Sequence, residues 1–293
     1  MIRIIAKTVI LLAVCFLALS VNAQKSTPME NSFKSGYAPV NGIQMYYEIH
    51  GKGGVPLVLI HGGGSTLESS WGNMIPLLSA HGEVIAVEMQ AHGRTTDRNA
   101  PESFEQDADD IATLLKYLKI DKANFFGFSN GGTTILQIAI RHPEIANKVI
   151  SLAGADKRDR FPAGFFEGFD GATIDKLPPP LKDAFLKVTP DTARLHTMFN
   201  RDVERMKNFP DIPDERIKSI KVPVLLMTGD QDVISPEATA KMHQLIPGSR
   251  LIVLPGPHGA CIGAIEAGPA YPGQTVNAQS KITTALVEEF LNS

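Results

Sequence analysis

Between Pro56 and Ala153 the chain alternates short, unbroken apolar runs with longer segments of helical periodicity. The runs are Pro56 to Ile60, Val84 to Val87, Ala123 to Phe128 and Lys148 to Ala153. Each is too short to be a buried helix and is apolar at odd and even positions alike, as a strand covered on both faces must be. Glu105 to Leu118 carries the helical period, with Asp107, Asp109 and Asp110 early and Lys116 and Lys119 late. That charge order suits the helix dipole. Strand, helix and strand in strict succession predict a mostly parallel sheet with helices on both faces, an α/β architecture.

One junction in this series carries more than fold. In Phe125-Phe126-Gly127-Phe128-Ser129-Asn130-Gly131-Gly132 an apolar strand meets a sharp turn, and a helical pattern follows from Thr133 to Arg141. The turn spells Gly-x-Ser-x-Gly. In that context the central residue sits in strained backbone at the strand tip, with small residues on either side so that strand and helix can approach. Ser129 is therefore the candidate nucleophile. The helix behind it aims its first amides at the place where negative charge develops. Upstream, the strand ending at Ile60 runs into His61-Gly62-Gly63-Gly64-Ser65. Consecutive glycines let backbone amides face a ligand. The expected oxyanion donors are the amides of Gly63 (or, less favoured, Gly64) and of Asn130.

A serine hydroxyl needs a base, and the base needs an acid that fixes its tautomer. Of eight His, those at 50, 61, 81, 92 and 142 precede or flank other strands, His196 falls in the proline-rich insertion described below, and His243 lies in a helical pattern. His258 stands in Pro255-Gly256-Pro257-His258-Gly259, after the last apolar run, Leu251 to Leu254. The acid is Asp232 or Asp230 in Gly229-Asp230-Gln231-Asp232, after the run Val222 to Thr228. Asp232 is favoured. Asp230, nearer the strand, is expected to bond local backbone as an Asx turn.

The order Ser129, Asp232, His258, each after a strand, resembles the α/β-hydrolase family over nearly all of residues 37–293. His61-Gly62-Gly63-Gly64, Gly127-Phe128-Ser129-Asn130-Gly131, Gly229-Asp230-Gln231-Asp232 and Pro257-His258 together match its signature sites, and the set is similar to the capped esterase, haloperoxidase-like and C–C hydrolase branch. In that branch the acid lies three residues after the glycine, which here is Asp232. Two stretches depart from the family pattern. Glu88-Met89-Gln90-Ala91-His92-Gly93-Arg94-Thr95 replaces the usual Asp-led turn, and about 20 residues separate His258 from the final helix expected at Ile282 to Leu291. The resemblance implies a serine hydrolase, foremost a carboxylesterase for small to medium apolar substrates. Cleavage of a carbon–carbon bond or a lactone is the alternative, and a non-catalytic ligand-binding homologue is the more distant one.

Residues 155–220 break the strand–helix rhythm. They are rich in proline and hold Phe161, Phe165, Phe166, Phe169, Phe185, Phe199 and Phe209, half of the chain's 14 Phe. A helical cap is expected here, with two or three rings reaching the pocket; Phe165 and Phe166 are the named candidates. Trp71, the only Trp, either lines the site or packs beneath it.

The remaining expectations concern the flanks. Arg3 and Lys7, the apolar run Val9 to Leu19 and the small residues of Val21-Asn22-Ala23 spell a signal peptide over residues 1–23, hence a secreted or periplasmic protein. The run is short for a membrane span, and Val14 before Cys15 is bulky for a lipid attachment site. Residues 24–36 are expected to be flexible, residues 37–154 and 221–293 to form the core, and Val40-Asn41-Gly42-Ile43 to close a β-hairpin. Cys261 then has no partner for a disulfide and reads as a small buried residue. A net charge of −3 without basic clusters gives no nucleic-acid surface. No metal-binding spacing and no dinucleotide fingerprint occurs, so a small-molecule substrate and no metal or cofactor are expected.

Overall fold

The computed structural model describes residues 33–268 and 278–293. The expected signal peptide, most of the segment 24–36 and residues 269–277 of the loop before the last helix lie outside the described residues.

The described residues open with a hairpin of β1 (Lys34–Val40) and β2 (Ile43–His50). Asn41 and Gly42 at its turn have φ of 39° and 90°, the paired positive values that a two-residue hairpin loop needs. β1 starts inside the segment expected to be flexible. Its residues pair in register from Lys34 opposite Ile49 to Val40 opposite Ile43, and Ala38 and Val40 are fully buried. The polar composition around Lys34 hid a strand whose backbone bonds and alternate apolar side chains hold it.

The next strands are β3 (Leu57–Ile60), β4 (Val84–Val87), β5 (Ala123–Phe128), β6 (Ala146–Leu152), β7 (Val224–Gly229) and β8 (Arg250–Leu254). One eight-stranded sheet runs β1-β2-β4-β3-β5-β6-β7-β8. β2 pairs antiparallel with both of its neighbours, β1 and β4, and all the other pairings are parallel. The helices are α1 (Leu67–Trp71), α2 (Ile75–Leu78), α3 (Phe104–Leu118), α4 (Asn130–Arg141), α5 (Pro179–Val188), α6 (Thr192–Lys207), α7 (Asp214–Lys218), α8 (Pro236–Leu245) and α9 (Ala278–Asn292). α9 begins four residues before the expected Ile282.

Strand alternation decides what each face holds. Phe125 packs with Ile111 and Leu114 of α3, Ile135 of α4 and Met242 of α8. Phe126 and Phe128, its neighbours on the strand, pack with Trp71 of α1, Leu78 of α2 and Val287 of α9. Burying each such side chain contributes about 1.5–3 kcal/mol. Ser103 caps α3 by accepting from the Gln106 amide at 3.1 Å, and Ser235 caps α8, with Pro236 in its first turn as expected.

After β6 the chain leaves the sheet to form the cap, with 3-10 turns at Arg158–Arg160, Phe166–Phe169 and Ile174–Lys176, then α5 and α6. Its two ends are fastened side by side. The Ile212 amide donates to the Asp156 carbonyl at 2.7 Å, the Arg158 amide to Asp211 Oδ1 at 2.7 Å, and Lys157 pairs with Asp214. Beyond this point Ile212, Ile217 and Ile220 are buried with the apolar face of α4. Residues 212–220 therefore belong to the core, and the expected cap boundary at residue 220 moves back to this base. Pro210 and Pro213 mark the exit from the cap, not its body.

Candidate active site

Ser129 joins β5 to α4 with φ 56° and ψ −118°. A non-glycine residue held at positive φ costs about 1–3 kcal/mol, and the elbow's surroundings enforce it. The Ser129 amide donates to the Leu152 carbonyl at 2.8 Å and its carbonyl accepts from the Thr133 amide at 3.1 Å. A Cβ on Gly127 would stand 2.1 Å from the Gly131 oxygen, and one on Gly131 would stand 2.3 Å from the Ile60 oxygen. The two glycines of the motif are thus required by close approach of strand and helix.

His258 follows β8 and meets Asp232, which follows β7. His258 Nδ1 lies 2.7 Å from Asp232 Oδ1. A carboxylate only accepts, so Nδ1 carries the proton and Nε2 is the free base. Asp232 is buried; Oδ1 also accepts from the Ile234 amide at 3.2 Å, while buried Oδ2 has no partner among the described residues. Burial works to lower the His258 pKa, but the Asp232 charge and hydrogen bond outweigh it and raise the pKa, with Glu266 adding in the same direction. Asp230 Oδ1 instead accepts from the Gly256 amide at 2.7 Å. It ties the β7 loop to the β8 loop rather than forming a turn within its own loop; Asp232 makes the bond two residues ahead.

The glycine loop divides its amides. Gly62 N–H is directed to Ser70 Oγ at 3.4 Å and Gly64 N–H to Asp202 Oδ2 at 2.5 Å. Among the described residues only Gly63 of the three has an amide without an acceptor, so the alternative donor, Gly64, is already engaged. A Cβ on Gly63 would lie 2.4 Å from Asn130 Nδ2, which puts the two expected oxyanion residues face to face beside Ser129.

Ser129, Asn130, Gly63 and His258 share a cavity of about 400 Å³ roofed by the cap. Four cap rings line it: Phe161, Phe165, Phe169 and Phe199. Phe166 is not on the wall. It packs on Phe161 and Phe209, with the Arg158 guanidinium 3.6 Å from its ring centre, because successive residues of a tight 3-10 turn point in different directions. Trp71 is also away from the cavity, fully buried at an edge contact of 4.7 Å with Phe126 on the α1 face of the sheet. Phe166 is thus structural, and of the two roles open to Trp71 the structure shows packing.

A charged cluster beside the glycine loop had no sequence signal. His92 Nε2 lies 2.9 Å from Asp202 Oδ2; Arg205 pairs with Asp202, with Asp107 at 2.9 Å and with Glu102 at 3.3 Å. Burial alone would lower the His92 pKa, but Asp202 raises it to about 9. Burial pushes Glu102 up to about 8 against the pull of Arg205. His61 is held down to about 3, by burial and then by the His92 charge, and accepts from the Met89 amide at 3.0 Å. These groups come from the loops after β3 and β4, from α3 and its approach, and from α6, so spacing could not join them. Glu266, bonded to Ser65 and Ser70, was likewise not foreseen.

Among the described residues no group of His, Cys, Asp or Glu is arranged to hold a metal, and no helix is long and apolar enough to cross a membrane.

Residues 55–185 match a family model described as alpha/beta hydrolase fold. The chain is 27% identical to the 2-hydroxy-6-oxo-6-(2'-aminophenyl)hexa-2,4-dienoic acid hydrolase of Metapseudomonas resinovorans, covering 79% of this chain and 87% of that one. It is 29% identical to the serine hydrolase BPHL of Homo sapiens, over 76% of this chain and 79% of the other. Among solved structures, the enol-lactonase from Burkholderia xenovorans LB400 superposes with a TM-score of 0.66 at 26% identity, covering 88% of this chain and 100% of its own.

Proposed function

We infer, from a chain that belongs to the α/β-hydrolase family and is a hydrolase, that Ser129, His258 and Asp232 hydrolyse a carbonyl substrate through an acyl-enzyme. The observation that carries this is the Asp232–His258 bond at 2.7 Å, with Ser129 at positive φ on the same cavity wall. His258 Nε2 takes the Ser129 proton as Oγ attacks. The carbonyl oxygen becomes an oxyanion facing the amides of Gly63 and Asn130; one such donor is worth about 2.7–4 kcal/mol in a serine protease. Asp232 stabilises the imidazolium. The proton passes to the leaving group, and water activated by His258 then releases the acid.

The substrate we propose is a carboxylic ester with a small to medium apolar moiety. The wall is mostly apolar, and Lys176 is the one Lys or Arg side chain among the lining residues. Arg205 is committed to carboxylates. An uncharged substrate suits this wall better than a carboxylate. Carbon–carbon or lactone cleavage by the same triad is the second reading, supported by the names of the dienoic acid hydrolase and the enol-lactonase. We further propose that the protein is exported by residues 1–23.

The test sets p-nitrophenyl esters, lactones and a dienoic diketone against the purified protein and Ser129→Ala. Wild type should turn over esters fastest and be labelled by a fluorophosphonate; Ser129→Ala should do neither. Labelling that persists in Ser129→Ala would place the nucleophile elsewhere. Faster turnover of the dienoic diketone would select the second reading.

A further inference from the structure

Asp202 is an acidic side chain on the cavity wall that the steps above do not use. It stands on cap helix α6, yet its bonds reach into the core. A carboxylate offers about four lone-pair sites. Oδ2 accepts from the Gly64 amide at 2.5 Å and from His92 Nε2 at 2.9 Å; Oδ1 accepts from the Arg205 guanidinium and faces Asn130 Nδ2 at 3.5 Å. Every acceptor direction is taken, so none remains for a substrate or for proton abstraction. Nor is Asp202 needed merely to neutralise Arg205, which also pairs with Asp107 and Glu102.

What the bonds share is their destination. Gly64 adjoins Gly63, and Asn130 is itself the second oxyanion donor. A Cβ on Gly63 would lie 3.3 Å from Asp202 Oδ1, so the carboxylate touches the loop on one side of the hole and the helix start on the other. We propose that Asp202 is a positioning residue: from the cap, it sets the spacing of the Gly63 and Asn130 amides, so that the oxyanion hole is in register only when the cap is seated. This rests on the serine-hydrolase function proposed above. A charge-assisted bond to a backbone amide is roughly twice as strong as a neutral one, which suits a part that must hold a glycine loop still.

The test measures kcat and KM for p-nitrophenyl butyrate on wild type, Asp202→Asn, Asn130→Ala and, as a cap-loosening reference, Leu181→Ala. Leu181 is buried in the cap cluster and lines the cavity; its Cδ1 lies over Gly64, but its side chain takes no part in the loop's hydrogen bonds. Losing a whole oxyanion donor costs about 10²–10³ in kcat. Asp202→Asn, which displaces donors without removing them, should cost about 10–100-fold in kcat with KM within about threefold. Asn130→Ala keeps its amide and should show a smaller loss of the same kind. Leu181→Ala should raise KM instead. An Asp202→Asn enzyme with wild-type kcat, or one that only copies the KM change of Leu181→Ala, would reduce Asp202 to a cap anchor and overturn the proposal. If Asp202→Asn fails to fold, the Gly64 amide proton in ¹⁵N-labelled wild type decides. It should resonate far downfield and exchange slowly; ordinary shift and fast exchange overturn the role. Wild type that neither hydrolyses esters nor takes a fluorophosphonate label would fail the serine-hydrolase function itself. Labelled, active wild type with an unaltered Asp202→Asn would fail only the positioning role.

Discussion

Replacing Asp232 by Asn tests the acid of the triad, and the surroundings of Asp232 set the size of the effect. The carboxylate presents Oδ1 to His258 at 2.7 Å and to the Ile234 amide at 3.2 Å, while buried Oδ2 faces no partner among the described residues. An amide in its place has two orientations. With its oxygen at the Oδ1 position both bonds survive, but an NH₂ group is buried without an acceptor, at a cost of about 1–3 kcal/mol. With NH₂ toward His258, Nδ1 must become the acceptor, the proton moves to Nε2, and no base faces Ser129. The second outcome matches a swap that costs about 10⁴ in a serine protease, or about 5.5 kcal/mol of barrier. Either way the charge that stabilises the imidazolium is gone. The expected loss in kcat is therefore about 10²–10⁴, toward the upper figure if the NH₂ faces His258.

The same change moves the pH profile. Activity requires neutral His258, so kcat/KM rises with pH through its pKa. Asp232 raises that pKa; without it the limb must shift to lower pH. Asp230→Asn is the control. Its amide oxygen can still accept from Gly256, so kcat should stay within about threefold of wild type. Assays of p-nitrophenyl butyrate hydrolysis from pH 5 to 9, with folding checked by near-UV circular dichroism, read all three quantities. An Asp232→Asn enzyme above a tenth of wild-type kcat, beside an Asp230→Asn enzyme a hundredfold down, would show the wrong carboxylate has been chosen.

Phe165→Ala should flatten the rise in kcat/KM from p-nitrophenyl acetate to butyrate, worth up to about fourfold per methylene (~0.8 kcal/mol), whereas Phe166→Ala should lower Tm and leave the chain-length profile intact. Equal profiles in the two variants would mean the cap aromatics do not select substrate. His92 has its folded pKa raised to about 9, so its stabilisation is full below its ordinary value of about 6.5 and is lost as pH rises through about 9. Tm should fall over that window, more steeply in wild type than in His92→Gln, and Glu102, pushed up to about 8, adds to the fall. A wild-type Tm that rises from pH 6.5 to 9 would refute this sign. Protein recovered from the periplasm or medium should begin at Gln24; a lipid-modified Cys15 at the N-terminus would contradict export as a soluble chain.

The sheet was legible because each parallel strand is apolar at consecutive positions. Val84 to Val87 was placed to the residue, and Leu57, Ala123 and Leu254 bound their strands within a residue or so of expectation. Ser129, Asp232 and His258 could be singled out because each follows a strand, and the structure sets His258 beside Asp232 and on the same cavity as Ser129. What the sequence could not convey was direction and distance. Phe165 and Phe166 are adjacent and identical in type, yet a 3-10 turn sends one ring to the cavity and the other toward Phe209. Trp71 is placed by sheet packing that no neighbour in sequence reveals. His92, Asp107 and Asp202 look like ordinary polar residues of three separate segments, and only the fold makes them one buried cluster.

The fastening of the cap at its base bears on how such a chain is assembled and changed. With Asp156 bonded to Ile212, the intervening stretch is a closed excursion whose length matters little to the core, since each doubling adds only about 0.6 kcal/mol of loop-closure entropy. The excursion can then be lengthened, shortened or exchanged as a cassette without moving a strand. Asp202 is where that independence stops. A transplanted roof that met every apolar contact but brought no acceptor to Gly64 would give a folded, saturable and slow catalyst. Diversification of the cavity is free along the aromatic wall and constrained at one carboxylate.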